Sequence, residues 1–147
     1  MQDVQDNLVI LKTLVAYSLK FKDHLLHPRN AGELPGANAI ADETNPVCGD
    51  RIRLSLIVNH GTIEAVKYLA YGCPPTLVCG SVLTELIDGR SLATAKELTR
   101  ADLLNAIGGL PSRKQHAAAL AIEALQTALA SLADPPATAG RTDLTQV

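Results

Sequence analysis

The chain has 147 residues, of which 47% are hydrophobic and 19% are charged, and its formal net charge is −2. This length suits one domain with a sizeable core. The mixed charges argue against a nucleic-acid-binding surface, and the scarcity of aromatic residues argues against base stacking as a main activity. No apolar run approaches the ~20 residues that cross a membrane, and Asp3 and Asp6 precede the first apolar stretch where a secretory signal carries positive charge. We therefore expect a cytoplasmic protein with reduced thiols.

The first predicted element is a helix over residues 17–26, where the apolar spacing is helical. Pro28 ends it, because the residue before a proline avoids the helical region. His24 and His27 lie near this end and are interpreted as surface or cap residues. A short edge strand is predicted over residues 37–41.

A β-hairpin follows. Apolar and polar residues alternate over 51–58, which is the period of a strand, and a second strand is predicted over 62–70. Between them, His60 and Gly61 form the predicted two-residue turn, since glycine readily adopts the positive φ that such turns require.

The rest of the chain predicts four helices. The first begins at Pro74 and Pro75, because proline is tolerated in a first helical turn. This helix runs over Pro74–Ile87 and is capped by Gly89, and a short helix over Ser91–Leu98 follows it. The third helix starts at Thr99, where Asp102 completes a capping box, and Gly108–Gly109 ends it. The last helix runs from Ser112 to Leu132, with Gln115 at its capping-box position.

This order of elements predicts the fold class and the domain limits. A helix, then strands, then helices favours an α+β fold, with a small antiparallel sheet packed against several helices. We divide the chain into an N-terminal extension of one or two loosely attached helical turns (1–16), a folded domain (17–133) and a polar, disordered tail (134–147).

The predicted hairpin brings two cysteines together. If Asn59 faces Thr62, the residue numbers of each facing pair add up to 121. Continuing the ladder on this rule places Cys48 opposite Cys73. Facing residues in an antiparallel pair have Cβ atoms ~4.5–5.5 Å apart. Even if the ladder frays earlier, both thiols leave the same end of the hairpin, with Asp50 nearby. The spacing predicts a shared Cys/Cys/Asp site.

Two helix starts add to this hypothesis. Cys73 lies at the N-terminal end of the helix that Pro74 begins, where free N–H groups and the helix dipole favour a thiolate. His116 falls in the first turn of the last helix, where a neutral ring able to bind metal is favoured. The pattern alone leaves open that His116 is a solvated residue near a cap.

A hydrolase is disfavoured, because the sequence has neither a serine nucleophile elbow nor an HExxH helix.

These residues resemble the U-type iron–sulfur cluster assembly scaffolds (IscU, SufU and the NifU N-terminal domain). The resemblance rests on Asn45–Leu54 and Ala70–Cys73, which are similar to the first two cysteine motifs of that family. Tyr17–Gly32 resembles its opening helix and NPRN-G turn, and Leu110–His116 resembles its LPPVK-x-H-C stretch. The similarity covers residues 17 to 132 with nearly unbroken spacing.

The resemblance implies a three-stranded antiparallel sheet and a site at one exposed end. It implies a scaffold, not an enzyme, which binds a transient [2Fe–2S] cluster or Zn²⁺ through Cys48, Asp50, Cys73 and His116. The implied partners are a cysteine desulfurase that delivers persulfide sulfur, an Hsp70-type chaperone and its co-chaperone, and apo acceptor proteins. Leu110–Lys114 matches part of the family's chaperone-recognition segment. A role in chaperone docking and a purely structural role at the start of the last helix are equal alternatives for it.

The chain departs from the family at Ala117, where the family has its third cysteine. Alanine can neither bind metal nor carry a persulfide, so sulfur delivery by the usual route is in question. Cys79 has apolar helix neighbours and is interpreted as a core residue; the alternative is a ligand or persulfide carrier after local unwinding. Three hypotheses follow: a cluster scaffold, a zinc-bound sulfur acceptor that no longer builds clusters, and a metal-free interaction module.

Overall fold

A computed structural model describes residues 17–133, so the predictions for residues 1–16 and 134–147 lie outside the described part. The elements in chain order are α1 (Leu19–Leu26), β1 (Ala39–Thr44), β2 (Arg51–Asn59), β3 (Thr62–Tyr71), α2 (Pro74–Ile87), α3 (Leu92–Lys96), α4 (Arg100–Ile107), a 3-10 helix (Ser112–Lys114) and α5 (His116–Ala133). The predicted α+β fold is confirmed.

One antiparallel sheet, in the order β1-β2-β3, carries the helices on its apolar face. Strand β2 lies in the middle and buries Ile52, Leu54 and Leu56 completely, as the alternating pattern predicts. Helix α5 packs on β1 and β2, and α2 packs on β3 and α5. Small buried residues such as Ala118 and Ala121 let α5 lie close to the sheet. This packing fixes both helix starts relative to one end of the sheet.

The register of the hairpin differs from the predicted one. Asn59 pairs with Thr62 across the predicted turn, but the ladder shifts by one residue between Ile57 and Val58. The shift is a β-bulge, in which β3 contributes one extra residue. Arg51 therefore pairs with Tyr71 and the ladder ends there. The prediction that Cys48 lies directly opposite Cys73 is wrong for this reason.

The helix ends confirm one predicted cap and correct another. Thr99 and Asp102 form a reciprocal capping box, and Gly108 ends α4 with φ +92°. At the last helix the predicted cap from Ser112 is wrong, because a 3-10 helix precedes α5. Its predicted partner Gln115 donates from Nε2 to the Leu110 carbonyl at 3.2 Å. Helix α5 consequently begins at His116.

The prediction that His24 lies at the surface is wrong. Its side chain is buried where α1 packs on α2, with Nδ1 2.6 Å from Ser81 Oγ and Nε2 3.1 Å from Glu85 Oε1. Both partners lie on α2, far along the chain, so local spacing could not reveal them. His27, by contrast, is an exposed cap residue as predicted.

Lowering the pH is expected to weaken the contact between α1 and α2. Burial, and then the charge of Arg29, lowers the pKa of His24 below 6.5; Lys20 acts in the same direction, while Glu85 and Asp23 oppose it. A histidine whose pKa falls on folding stabilises the protein above its unfolded pKa, and this stability is lost as the pH falls from about 6.5 towards the folded value.

Urea unfolding of the metal-free protein at about pH 8 and about pH 5.5 checks this expectation. The free energy of unfolding should fall more in the wild type than in His24→Gln, which keeps polar atoms but has no group that titrates in this range. Equal losses in the two proteins would show that His24 does not cause the pH dependence.

Candidate metal centre

Three segments meet at the end of the sheet where β2 begins and β3 ends. The loop before β2 carries Cys48 and Asp50, the junction between β3 and α2 carries Cys73, and α5 begins at His116. Because Arg51 pairs with Tyr71, the residues just before β2 and just after β3 leave the same end of the hairpin. The structure thus groups Cys48, Asp50 and His116, and places Cys73 beside Asp50, without the predicted pairing of the cysteines.

Asp50 connects the group. One ligand atom from each of Cys48, Asp50 and His116 lies within 4.8 Å of the other two. The Cys73 thiol donates to Asp50 Oδ2 at 3.1 Å, and His116 Nε2 lies 3.7 Å from the same oxygen. Cys48 is exposed and Cys73 is half-buried, so the group opens to solvent on the thiol side.

The Asp50 carboxylate is almost completely buried, at 7% exposure. Burial raises the pKa of Asp50, but hydrogen bonds from the side chains of Cys73, Thr76 and Cys48 and from the Cys73 backbone outweigh it, and the net pKa lies below the usual value. The carboxylate is therefore ionised near neutral pH. An anion fixed between two thiols and an imidazole is a favourable place for a cation.

Gly72 makes the close approach of Asp50 possible. A Cβ atom at Gly72 would lie 2.3 Å from Asp50 Oδ1, and its φ of +141° belongs to a region that other residues rarely adopt. The Gly72-Cys73 sequence is visible, but its contact with Asp50 depends on the fold. Sequence reasoning gave Gly72 no such role.

The imidazole of His116 is oriented by the 3-10 helix that precedes α5. His116 Nδ1 lies 3.2 Å from the carbonyl oxygen of Arg113, and since a carbonyl only accepts, Nδ1 carries the proton. The other ring nitrogen, Nε2, faces Asp50 and lies 3.7 Å from Oδ2. A second hydrogen bond that fixes the tautomer in this way is typical of histidine ligands.

The two remaining positions of interest lie in the core. Cys79 is completely buried, as its apolar neighbours predict, and this burial raises the pKa of its thiol to about 12, with a smaller contribution from the charge of Cys73. Ala117, at the position of the missing cysteine, is 1% exposed. Neither side chain faces solvent.

Sequence reasoning missed Thr76. This fully buried residue in the first turn of α2 donates from Oγ1 to Asp50 Oδ2 at 2.8 Å, and its Oγ1 lies 3.5 Å from Cys73 Sγ. A threonine three residues after a helix cap has many possible roles. Only the position of Asp50 across the β3–α2 junction distinguishes this one.

Two thiols, one imidazole and one carboxylate form a donor set suited to zinc or to an iron–sulfur cluster, and unsuited to magnesium or calcium. The fold and this site define a small α+β protein with a thiol-rich candidate metal centre at one end of its sheet. Among residues 17–133, no helix is long and apolar enough to cross a membrane.

Comparisons with known proteins agree with this class. The model of the NifU-like N-terminal domain matches residues 16–137. The chain is 36% identical over 113 residues to the iron–sulfur cluster assembly scaffold protein IscU 1 of Archaeoglobus fulgidus, covering 77% of this chain and 74% of that protein. It is 34% identical over 123 residues to the IscU scaffold of Escherichia coli (strain K12), covering 79% and 93%.

Some relatives are much longer. The bifunctional protein NifU/MnmA of Rubrobacter xylanophilus is 41% identical over 114 residues, which are 76% of this chain and 23% of that protein. Among solved structures, a SUF-system scaffold (FiSufU) from Fervidobacterium islandicum superposes with a TM-score of 0.63 at 20% identity, covering 78% of this chain and 97% of that one. At that identity the likeness concerns the fold alone.

The chain therefore belongs to the NifU-like N-terminal domain family, which confirms the family that its cysteine motifs predict.

Proposed function

We propose that this protein is a scaffold or carrier for iron–sulfur cluster assembly. It holds a transient [2Fe–2S] cluster, or zinc, through Cys48, Asp50, Cys73 and His116. The observation that carries the proposal is the convergence of these side chains, with candidate ligand atoms of Cys48, Asp50 and His116 within 4.8 Å of one another and Cys73 Sγ 3.1 Å from the Asp50 carboxylate. Relatives named as scaffold proteins support it.

The chemistry of the site suits a cargo that must be taken up and passed on. Thiolates bind iron and zinc strongly because they are soft ligands. Ligands other than cysteine also occur in iron–sulfur proteins, as in centres with two histidines. Because Cys48 is exposed, one side of a bound cluster would stay accessible to an acceptor protein.

Cluster assembly on the purified protein tests this proposal. After anaerobic incubation with iron(II) and sulfide, the wild type should show visible absorption and contain iron and sulfide in equal amounts. Cys48→Ser and Cys73→Ser should lose most of this absorption, because serine removes a thiolate ligand. Cys79→Ala is the matched control and should keep it, since Cys79 is buried away from solvent. Failure of the wild type to form any cluster would contradict the proposal.

A second candidate function follows from Ala117, where the family has a cysteine. In this alternative the protein holds zinc and accepts sulfur from a cysteine desulfurase without building clusters. Cys48 is the exposed thiol of the three, whereas Cys79 is buried. The thiolate of Cys48 would attack the terminal sulfur of the enzyme's persulfide, forming a new persulfide on Cys48 and releasing the enzyme's thiolate.

The same preparation distinguishes the two functions. A stable zinc complex that forms no cluster, but gains the mass of one sulfur atom with a desulfurase and cysteine, would favour the acceptor. A cluster that forms and then passes to an apo protein would favour the scaffold. A metal-free interaction module predicts neither result.

The proposed partners are a cysteine desulfurase, apo acceptor proteins and an Hsp70-type chaperone with its co-chaperone, and the proposed compartment is the cytoplasm. Val47 and Tyr71, which adjoin Cys48 and the Gly72-Cys73 pair, are 94% and 55% exposed. We propose that protein partners contact these exposed apolar side chains beside the site. The segment around Ser112 and Arg113, also exposed, is the proposed chaperone contact.

A further inference from the structure

The buried hydroxyl of Thr76 has a specific role at the centre. We infer that Thr76 is a positioning residue, which fixes the Asp50 carboxylate in the orientation needed to bind metal and thereby raises metal affinity. The inference rests on the proposed function, because it presupposes that Asp50 is a ligand.

The geometry makes Thr76 a partner of the ligand and not a ligand itself. Its Oγ1 donates to Asp50 Oδ2 at 2.8 Å, and the residue has no solvent exposure. The same carboxylate accepts from the Cys73 thiol and faces His116 Nε2, and Cys48 on this group is exposed. A bound ion would therefore meet the carboxylate, while Thr76 supports it from within the fold.

Thr76 differs from the other donors to Asp50 in what happens when metal binds. Among the described residues, the side chains of Cys73 and Thr76 donate to Asp50 Oδ2, at 3.1 Å and 2.8 Å. Cysteine binds metal as a thiolate, and a thiolate donates no hydrogen bond. The Thr76 hydroxyl keeps its proton. It is therefore the side-chain donor that can hold the carboxylate beside two thiolates, which would otherwise repel it.

A second buried threonine on the same helix shows that this contact is not a general property of helical threonines. Thr84 is also completely buried, two turns further along α2. Its hydroxyl donates to the Ser81 carbonyl at 2.7 Å, within its own helix, and accepts from Asn30 Nδ2 at 3.1 Å. Thr76 instead directs its hydroxyl across to Asp50. Thr84 therefore provides a matched control for the loss of a buried hydroxyl.

Zinc affinity measured by competition with a chromophoric chelator tests the inference. Thr76→Val keeps the shape of the side chain and removes the donor, so the dissociation constant should rise about 10–100-fold, as is typical when a partner of a metal ligand is lost. Thr76→Ser keeps the hydroxyl and should bind zinc nearly as the wild type does. Thr84→Val should leave the affinity unchanged.

If Thr76→Val does not fold, Thr76→Ala against Thr76→Ser isolates the hydroxyl, and alanine should show the same loss. Wild-type affinity in Thr76→Val, equal weakening in Thr76→Ser, or equal weakening in Thr84→Val would each overturn the inference. A wild type that binds no zinc and forms no cluster would overturn the proposed function and this inference together. The two failures are distinguishable, because only the second affects the unsubstituted protein.

Discussion

Gly72→Ala is expected to weaken metal binding strongly while leaving most of the fold in place. The new Cβ atom would lie 2.3 Å from Asp50 Oδ1 and 2.5 Å from Asp50 Cγ, so the carboxylate must move. Zinc affinity should fall by about 100-fold or more, at or above the upper end of the effect of losing a ligand's partner. The positive φ of +141° adds backbone strain, for which we expect a loss of roughly 1–3 kcal/mol in the free energy of unfolding.

Gly89→Ala is the control that separates the two effects of Gly72→Ala, which are backbone strain and movement of the Asp50 carboxylate. Gly89 also has a positive φ, +77°, but a Cβ there would meet no atom within 4 Å. We expect this variant to lose about 1–2 kcal/mol of stability, the usual cost of a left-handed conformation, and to keep its zinc affinity. Chelator competition and urea unfolding on both variants give the comparison. Normal zinc binding by Gly72→Ala would show that Asp50 is not held where the structure places it.

The elements of this fold could be predicted from sequence where the cause is local. Alternation over β2, the turn at His60 and Gly61, and the capping box at Thr99 all depend on residues within a few positions of one another. The register of the hairpin could not be predicted, because nothing near Ile57 marks the extra residue of the bulge. The shift moves each facing pair by one residue over the rest of the ladder.

The candidate site divides in the same way. Cys48, Cys73 and Asp50 could be proposed from their residue types and from the shared end of the hairpin. His116 entered the predicted set only through the resemblance to the scaffold family. The residues that support them could not be found. Thr76 lies far along the chain from Asp50, the residue that it supports. His24 and Ser81, where α1 packs on α2, are likewise partners from distant parts of the chain. A buried histidine and a buried threonine have no sequence signal until the helices are packed.

Asp50 is the residue on which the local geometry depends. It accepts from the first turn of α2, lies against Gly72, and faces His116 at the start of α5. A change at any of these elements therefore reaches the candidate ligand atoms through one carboxylate. This arrangement also explains why a site on loops can be well defined: each loop ends at a helix or strand that the core holds in place.

Phe21→Ala is expected to be among the most destabilising substitutions in the chain. Phe21 is completely buried, and its ring stacks on Tyr17 with the centroids 3.9 Å apart. Removing a buried aromatic ring costs about 3–5 kcal/mol, through lost burial and the cavity that remains. That is a large share of the roughly 5–15 kcal/mol that stabilises a typical protein. Leu19→Ala, on the same helix but 81% exposed, is the control and should change stability by at most about 0.5 kcal/mol.

The loss should also reach the metal centre, because Phe21 lines one cavity with Pro74 in the first turn of α2 and with Arg113 and Lys114 just before His116. Zinc binds the folded state, so zinc at about 100 times its dissociation constant should return about 2.7 kcal/mol to any variant with an intact site. Urea unfolding with and without zinc measures both quantities. If α1 holds these helix starts together, zinc should raise the free energy of unfolding of Phe21→Ala by less than this amount. Zinc should raise that of Leu19→Ala by the full amount. Equal recovery in the two variants would show that the site forms independently of α1.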